Sequence, residues 1–159
     1  MNNLQKMINS TNNQLKKQES LVKSKLEELE HYIDLIANNN NNSNYLINQK
    51  EFNDKVFKNL NDTNSTLYML KNSLIKEKNS NIYTNDVKSA ISCIANIKNS
   101  IKFTQNKLIK AQNICALKGN IESADVLAKI SLELNFQNHM FVKNASTEVV
   151  SLKQLVQNN

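Results

Sequence analysis

Glu28 and His31 are the pair whose residue types and spacing come nearest to chemistry. Glu-x-x-His sets a carboxylate and an imidazole one turn apart on a helix, as in a di-metal carboxylate core, which needs a second such motif and two further inward Glu. The only other histidine is His139, and its upstream Glu133 lies six residues away, on a different face. His31 also falls to the flank of the apolar stripe through Leu29 and Ile33, which reads as a surface or boundary histidine. Nucleophilic catalysis needs Ser, Cys or Thr beside an oriented base, and no Gly-x-Ser-x-Gly or comparable signature occurs. Glu27, Glu28, Glu30 and Asp34 form the densest carboxylate cluster, but Lys23 and Lys25 lie among them, as on a solvated face. Cys93 and Cys115 stand 22 residues apart, which fits no zinc spacing, and two Cys are too few for a disulfide scaffold. They read as small apolar residues in a reduced compartment. No catalytic residue, metal or cofactor is assigned, and enzyme activity is not expected.

The remaining chemistry is charge. The chain has 159 residues, 20 cations, 14 acids and a net charge of +6; all 20 cations are Lys, and 30 residues are Asn. Asn, Lys and Ile have A/T-rich codons, so the bias reads as the product of an AT-rich genome and carries little functional weight. A basic balance points toward nucleic acid or an anionic membrane. Arg, the residue that reads guanine and phosphate in a bidentate way, is absent, so Lys would support only sequence-independent, salt-sensitive phosphate contact. The excess positive charge sits in one segment: residues 85–119 hold six Lys and a single acid, Asp86. Lys88, Lys98, Lys102 and Lys110 cluster opposite that segment's apolar stripe and are the candidate contacts for a partner or polyanion.

The elements that carry these residues follow from periodicity. One Gly and no Pro argue against sandwiches, barrels and glycine-rich phosphate loops. Steps of three and four recur almost everywhere, which is the helical period. Four helices are expected, over about 3–37, 46–77, 85–118 and 121–156, within a single domain spanning 1–159. The Asn-rich stretch 38–45 connects the first two. The third helix has the strongest seam, through Val87, Ile94, Ile97, Ile101 and Leu108. The fourth has Leu127, Ile130, Leu134 and Phe141 on one side. The first has polar Thr11 and Gln18 in its seam, which makes the first half of that helix the weaker half. In the second, the polar run Asn59–Ser65 predicts fraying or a bend. Thr84 or Asn85 is the expected cap of the third helix, and Gly119 with Asn120 the stop and restart before the fourth. The fold class is all-α: an elongated antiparallel bundle of about four long helices with coiled-coil-like packing, each rod about 50 Å long at 1.5 Å per residue.

Within the last helix, Phe141-Val142-Lys143-Asn144-Ala145-Ser146-Thr147-Glu148-Val149-Val150 resembles the C-terminal helix of bacterial type III secretion needle and inner-rod proteins, and flagellar axial proteins have comparable terminal helices. The likeness covers about ten residues of 159. The chain is long for a needle subunit and lacks the Pro-containing turn of needle hairpins. What the resemblance implies is a subunit of an axial assembly, with its terminal helix lining a polymer.

The leading expectation is a non-catalytic helical interaction or assembly protein, packing with itself or with a protein partner through amphipathic helices, the N-terminal helix being the foremost docking element. The alternatives are the axial-assembly subunit and a Lys-rich bundle that binds nucleic acid or anionic membrane through residues 88–118. No stretch of about 18 apolar residues occurs, so no transmembrane segment is expected. The N-terminal residues lack an apolar signal core, which points to a cytoplasmic protein and leaves signal-less secretion open.

Overall fold

The computed structural model describes residues 2–38 and 43–157, and the side chains among these other than those of 43–50, 52 and 53. Residues 39–42 of the Asn-rich connection and the Phe52 side chain therefore fall outside the described residues. The architecture is all-α, with four long helices packed side by side: α1 (Asn3–Asn38), α2 (Ser43–Ile75), α3 (Thr84–Leu117) and α4 (Ile121–Gln157). A short 3-10 turn, Ser80–Tyr83, joins α2 to α3.

Each helix buries one stripe. On α1 the stripe runs Ile8, Thr11, Leu15, Gln18, Val22, Leu26, Leu29, Ile33 and Ile36. On α3 it includes Val87, Ile94, Ile97, Ile101 and Leu108, and on α4 Leu127, Ile130, Leu134 and Phe141; all nine are buried in one continuous core. Burying a Leu or Ile side chain is worth about 1.5–3 kcal/mol against leaving it in water, so these stripes are the main cohesive term. α2 is helical without interruption through Asn59–Ser65, where the sequence pattern predicts a bend. Leu60 and Leu67 are anchored in the core on either side of this stretch. Thr63 and Thr66 turn their hydroxyls back to the carbonyls of Asn59 and Asp62, so the polar run satisfies itself along the helix.

The helices form a square. α1 packs on α2 and α3, and α4 packs on α2 and α3, while α2 and α3 sit on a diagonal. Cross-helix contacts give the directions. Asn96 meets Glu19 and Lys107 meets Asp34, so α1 and α3 run parallel. Asn64 meets the Phe141 carbonyl and Lys71 meets Glu148, so α2 and α4 run parallel as well. Successive helices are antiparallel, and the link from α2 to α3 crosses the diagonal. The molecule is thus two antiparallel hairpins, α1–α2 and α3–α4, laid face to face.

Local signals fix the ends. The Asn2 side chain accepts from the Gln5 amide and opens α1. After α3, Gly119 takes φ 76°, the left-handed conformation that costs glycine nothing. Its amide donates to the Ala116 carbonyl, and the Asn120 amide donates to the Cys115 carbonyl, which closes a Schellman motif. The Asn120 side chain then accepts from Ser123 N–H and opens α4. Thr84 does not cap α3. Its hydroxyl donates back to the Asn81 carbonyl, because the 3-10 turn runs straight into the helix and leaves no extended residue in the cap position.

Candidate interaction surface

The structure separates the residues that resemble chemistry. Glu28 forms an ion pair with Lys25 at 3.0 Å on the outside of α1. His31 is exposed, and so is His139; they stand on α1 and α4, the other diagonal pair. Among the described residues no group of three or more His, Cys, Asp or Glu side chains gathers in metal-binding geometry. Cys93 and Cys115 are both buried thiols. At 1.5 Å per residue they lie about 33 Å apart along α3. Burial, then the nearby Glu19, raises the Cys93 thiol above its ordinary value of 9.0, against a smaller opposing effect of Lys16.

α1 is not a spare docking rod. Its polar seam residues Thr11, Asn12 and Gln18 are buried inside the bundle. Gln18 Nε2 donates to Thr66 Oγ1 on α2 at 3.0 Å, and Asn12 reaches Asp86 on α3 at 3.4 Å. Glu30 accepts from Thr104 at 3.0 Å. A polar seam residue on an isolated helix is indistinguishable from a weak one; here Asn12 and Gln18 each have a partner on another helix.

Lys88, Lys102 and Lys110 are exposed and Lys98 is half-buried. They run along about 33 Å of α3 and do not converge on a cavity. Lys107, from the same segment, turns instead to Asp34 of α1 at 3.0 Å. The rotation around each helix sorts the rest. At about 100° per residue, Lys102 is roughly 140° round α3 from Lys107 and so faces away from α1. By the same reckoning Leu132, about 160° round from Glu148, faces away from α2. These two directions define the outer face of the α3–α4 hairpin.

That face carries apolar residues outside every buried stripe. Leu132 is 71% exposed, Phe136 61% and Ile109 51%. Gln105 Nε2 donates to Asn135 Oδ1 at 2.8 Å across the two helices. This antiparallel register brings Ile109 level with Leu132, and Phe136 level with Lys102 and Thr104. Three apolar side chains therefore project at adjacent levels of the hairpin, with Lys102, Lys129 and Lys143 around them, all exposed. Reasoning from the sequence picked out the lysines of α3 and missed Ile109, Leu132, Phe136 and Lys143. The missed signal was the four-residue step from Leu132 to Phe136, offset from the seam through Leu127, Ile130 and Leu134.

No known protein family matches the chain, and no curated protein or solved structure is detectably similar to it.

Two carboxylates of the hairpin are engaged by the other hairpin. Asp86 is engaged by Asn12 of α1 and Glu148 by Lys71 of α2. Asp125 pairs with Lys129 at 3.1 Å. Glu122 and Glu133 are eleven residues apart, three turns, both exposed, and lie between the directions of Glu148 and Phe136, at the edge of this face. Among the described residues no ion pair holds Lys88, Lys102, Lys110 or Lys143. No helix among them is long and apolar enough to cross a membrane.

Proposed function

We propose that this is a non-catalytic helical interaction protein that presents the outer face of its α3–α4 hairpin to a partner. The observation that carries this reading is the second apolar stripe of α4. The helix already buries Leu127, Ile130, Leu134 and Phe141, yet exposes Leu132 and Phe136 on the opposite side, beside Ile109 of α3. Contiguous exposed apolar residues on an otherwise well-packed surface mark interaction sites more often than isolated ones do. The placing of His31 and His139 on diagonal helices and the pairing of Glu28 with Lys25 support a non-catalytic role.

The test is capture of partners by the wild-type chain and by a Leu132→Ser/Phe136→Ser variant, with sedimentation velocity across a range of concentrations. Loss of capture in the variant, at unchanged helicity, supports the reading. A compact monomer at every concentration that captures nothing removes it.

A second reading is electrostatic, and the exposure of Lys88, Lys102 and Lys110 without ion-pair partners favours it. It makes the hairpin face a polyanion surface, whose affinity falls steeply as salt rises. The axial-assembly reading has only its ten-residue resemblance in support; Phe141 and Ala145 of that segment are spent on the core of the single chain.

A further inference from the structure

We infer that the outer face of the α3–α4 hairpin docks on the surface of a membrane rich in anionic phospholipid, with Leu132, Phe136 and Ile109 entering the headgroup layer and Lys88, Lys102 and Lys143 reaching lipid phosphates. The inference rests on the interaction reading above and names the chemistry of the partner.

Three features of the face select this occupant. The first is sign. Lysines outnumber acids around the apolar cluster: Asp86 and Glu148 are engaged by other helices, Lys129 neutralises Asp125, and Glu122 and Glu133 border the face, against the exposed Lys88, Lys102 and Lys143. A second copy placed on this face by a two-fold axis would set lysines against lysines, so self-association through it is opposed, whereas an anionic surface is attracted. The second is shape. The seam between α3 and α4 at this level is bridged by the exposed Gln105–Asn135 hydrogen bond. The clefts lined by Asn64 and Glu148, by Lys23 and Phe103, and by Leu4 and Met69 lie on other edges of the square. Bridged at this level, the seam presents exposed side-chain tips, Leu132, Phe136 and Ile109 among them. The third is residue type. Nucleic acid would reward a continuous cationic track with aromatic rings for stacking. Here two aliphatic side chains and a single Phe form the centre. Apolar tips ringed by flexible ammonium groups on aliphatic stems are the chemistry of an interfacial helix, which sinks its apolar side chains to the acyl boundary while lysine heads reach the phosphates.

The experiment is flotation of the full chain with vesicles of phosphatidylcholine and phosphatidylglycerol in equal parts, against vesicles of phosphatidylcholine alone. Wild-type protein is expected to float with the anionic vesicles at low salt and to dissociate from them as salt rises. A Lys88→Glu/Lys102→Glu/Lys143→Glu variant should bind about 100-fold more weakly, because each lysine near an anionic surface accounts for roughly a fivefold change in affinity. A Leu132→Ser/Phe136→Ser variant should bind about tenfold more weakly, because less apolar surface enters the headgroup layer. All five positions are exposed, so circular dichroism should be unchanged; where the triple variant fails that check, Lys143→Glu alone replaces it. Equal binding to neutral vesicles, no binding to either, an apolar variant that binds like wild type, or full displacement by duplex DNA overturns the lipid assignment. If vesicles fail while the same variants abolish capture of a protein partner, the lipid assignment falls and the interaction reading stands. If both assays are blind to the variants, both fall.

Discussion

Lys71 of α2 and Glu148 of α4 meet at 2.9 Å in the groove between two parallel helices, with 16% and 15% of their side-chain surface left in water. The Lys71 ammonium also lies 4.5 Å from the centre of the Tyr68 ring. The interaction is an ion pair rather than an aligned hydrogen bond, since Glu148 Oε2 lacks hydrogen-bond geometry to any donor. It ties α2 of one hairpin to α4 of the other, on the side of α4 away from the exposed Leu132.

Removing one member strands the other. Lys71→Met should destabilise the bundle by about 1–3 kcal/mol, the cost of leaving a largely buried polar group unpaired. Lys71→Met with Glu148→Met should recover most of that loss, because a half-buried ion pair is close to neutral against an apolar replacement. Urea midpoints at constant slope measure both; a double variant as unstable as the single one contradicts the argument.

Gln18 and Thr66 pose the same question inside the core. Their hydrogen bond spans 3.0 Å, but Gln18 Oε1 is buried without a partner. Gln18→Leu with Thr66→Val should therefore be neutral or more stable in thermal melts. If polar pairing is what holds α1 in register, the same variant should also show broadened amide spectra, as alternative registers become populated. A large loss of stability would mean that the pair contributes more than it costs.

Ile101 and Phe136 separate core from surface. Ile101 is fully buried, and Ile101→Ala should cost about 2–5 kcal/mol. Phe136 is 61% exposed, and Phe136→Ser should stay within about 0.5 kcal/mol of wild type. Denaturant unfolding of the two variants checks the assignment. An equal loss in both would place Phe136 in the fold rather than on the partner face.

Gly119 and Cys93 test local chemistry. At φ 76° with nothing within 4 Å of an added Cβ, Gly119→Ala meets only backbone strain, about 1–2 kcal/mol, read in the melting temperature.

The Cys93 thiol is held above 9.0 by burial, so the folded state disfavours the thiolate. Its contribution is fully present below the unfolded thiol pKa and is lost as pH rises through the higher folded value. Stability should fall on the alkaline side and be flat in this respect at neutral pH, and Cys93→Ala should remove that alkaline component. Native protein should also react slowly with a maleimide at pH 8 and rapidly once unfolded. Fast native labelling would show that the site is open.

The seams were legible along the chain because a helix repeats its inner face every three or four residues, and that repeat survives without any partner. It placed Ile94, Ile101, Leu108, Leu127 and Phe141 on apolar stripes, and it gave Gly119 and Asn120 as a break between helices, since only local backbone geometry is involved. It placed Thr11 and Gln18 in the seam as well, but it could not say that Asn12 belongs to the interior or which groups Asn12 and Gln18 meet there. A polar residue in a seam gains its place from a donor or acceptor on another helix, and periodicity carries no information about that helix.

What the sequence by itself determined was four amphipathic rods, their approximate limits and the one segment rich in lysine. What only tertiary structure decided was which rods are neighbours, that α2 passes to α3 across the diagonal, and which lysines and carboxylates face each other. The reason is physical. Hydrophobic burial depends on how much apolar surface each helix has and is nearly indifferent to its partner. Ion pairs such as Lys71–Glu148 and Lys107–Asp34 act over a few ångströms, so the charge left on the α3–α4 face exists only once the hairpins are laid together.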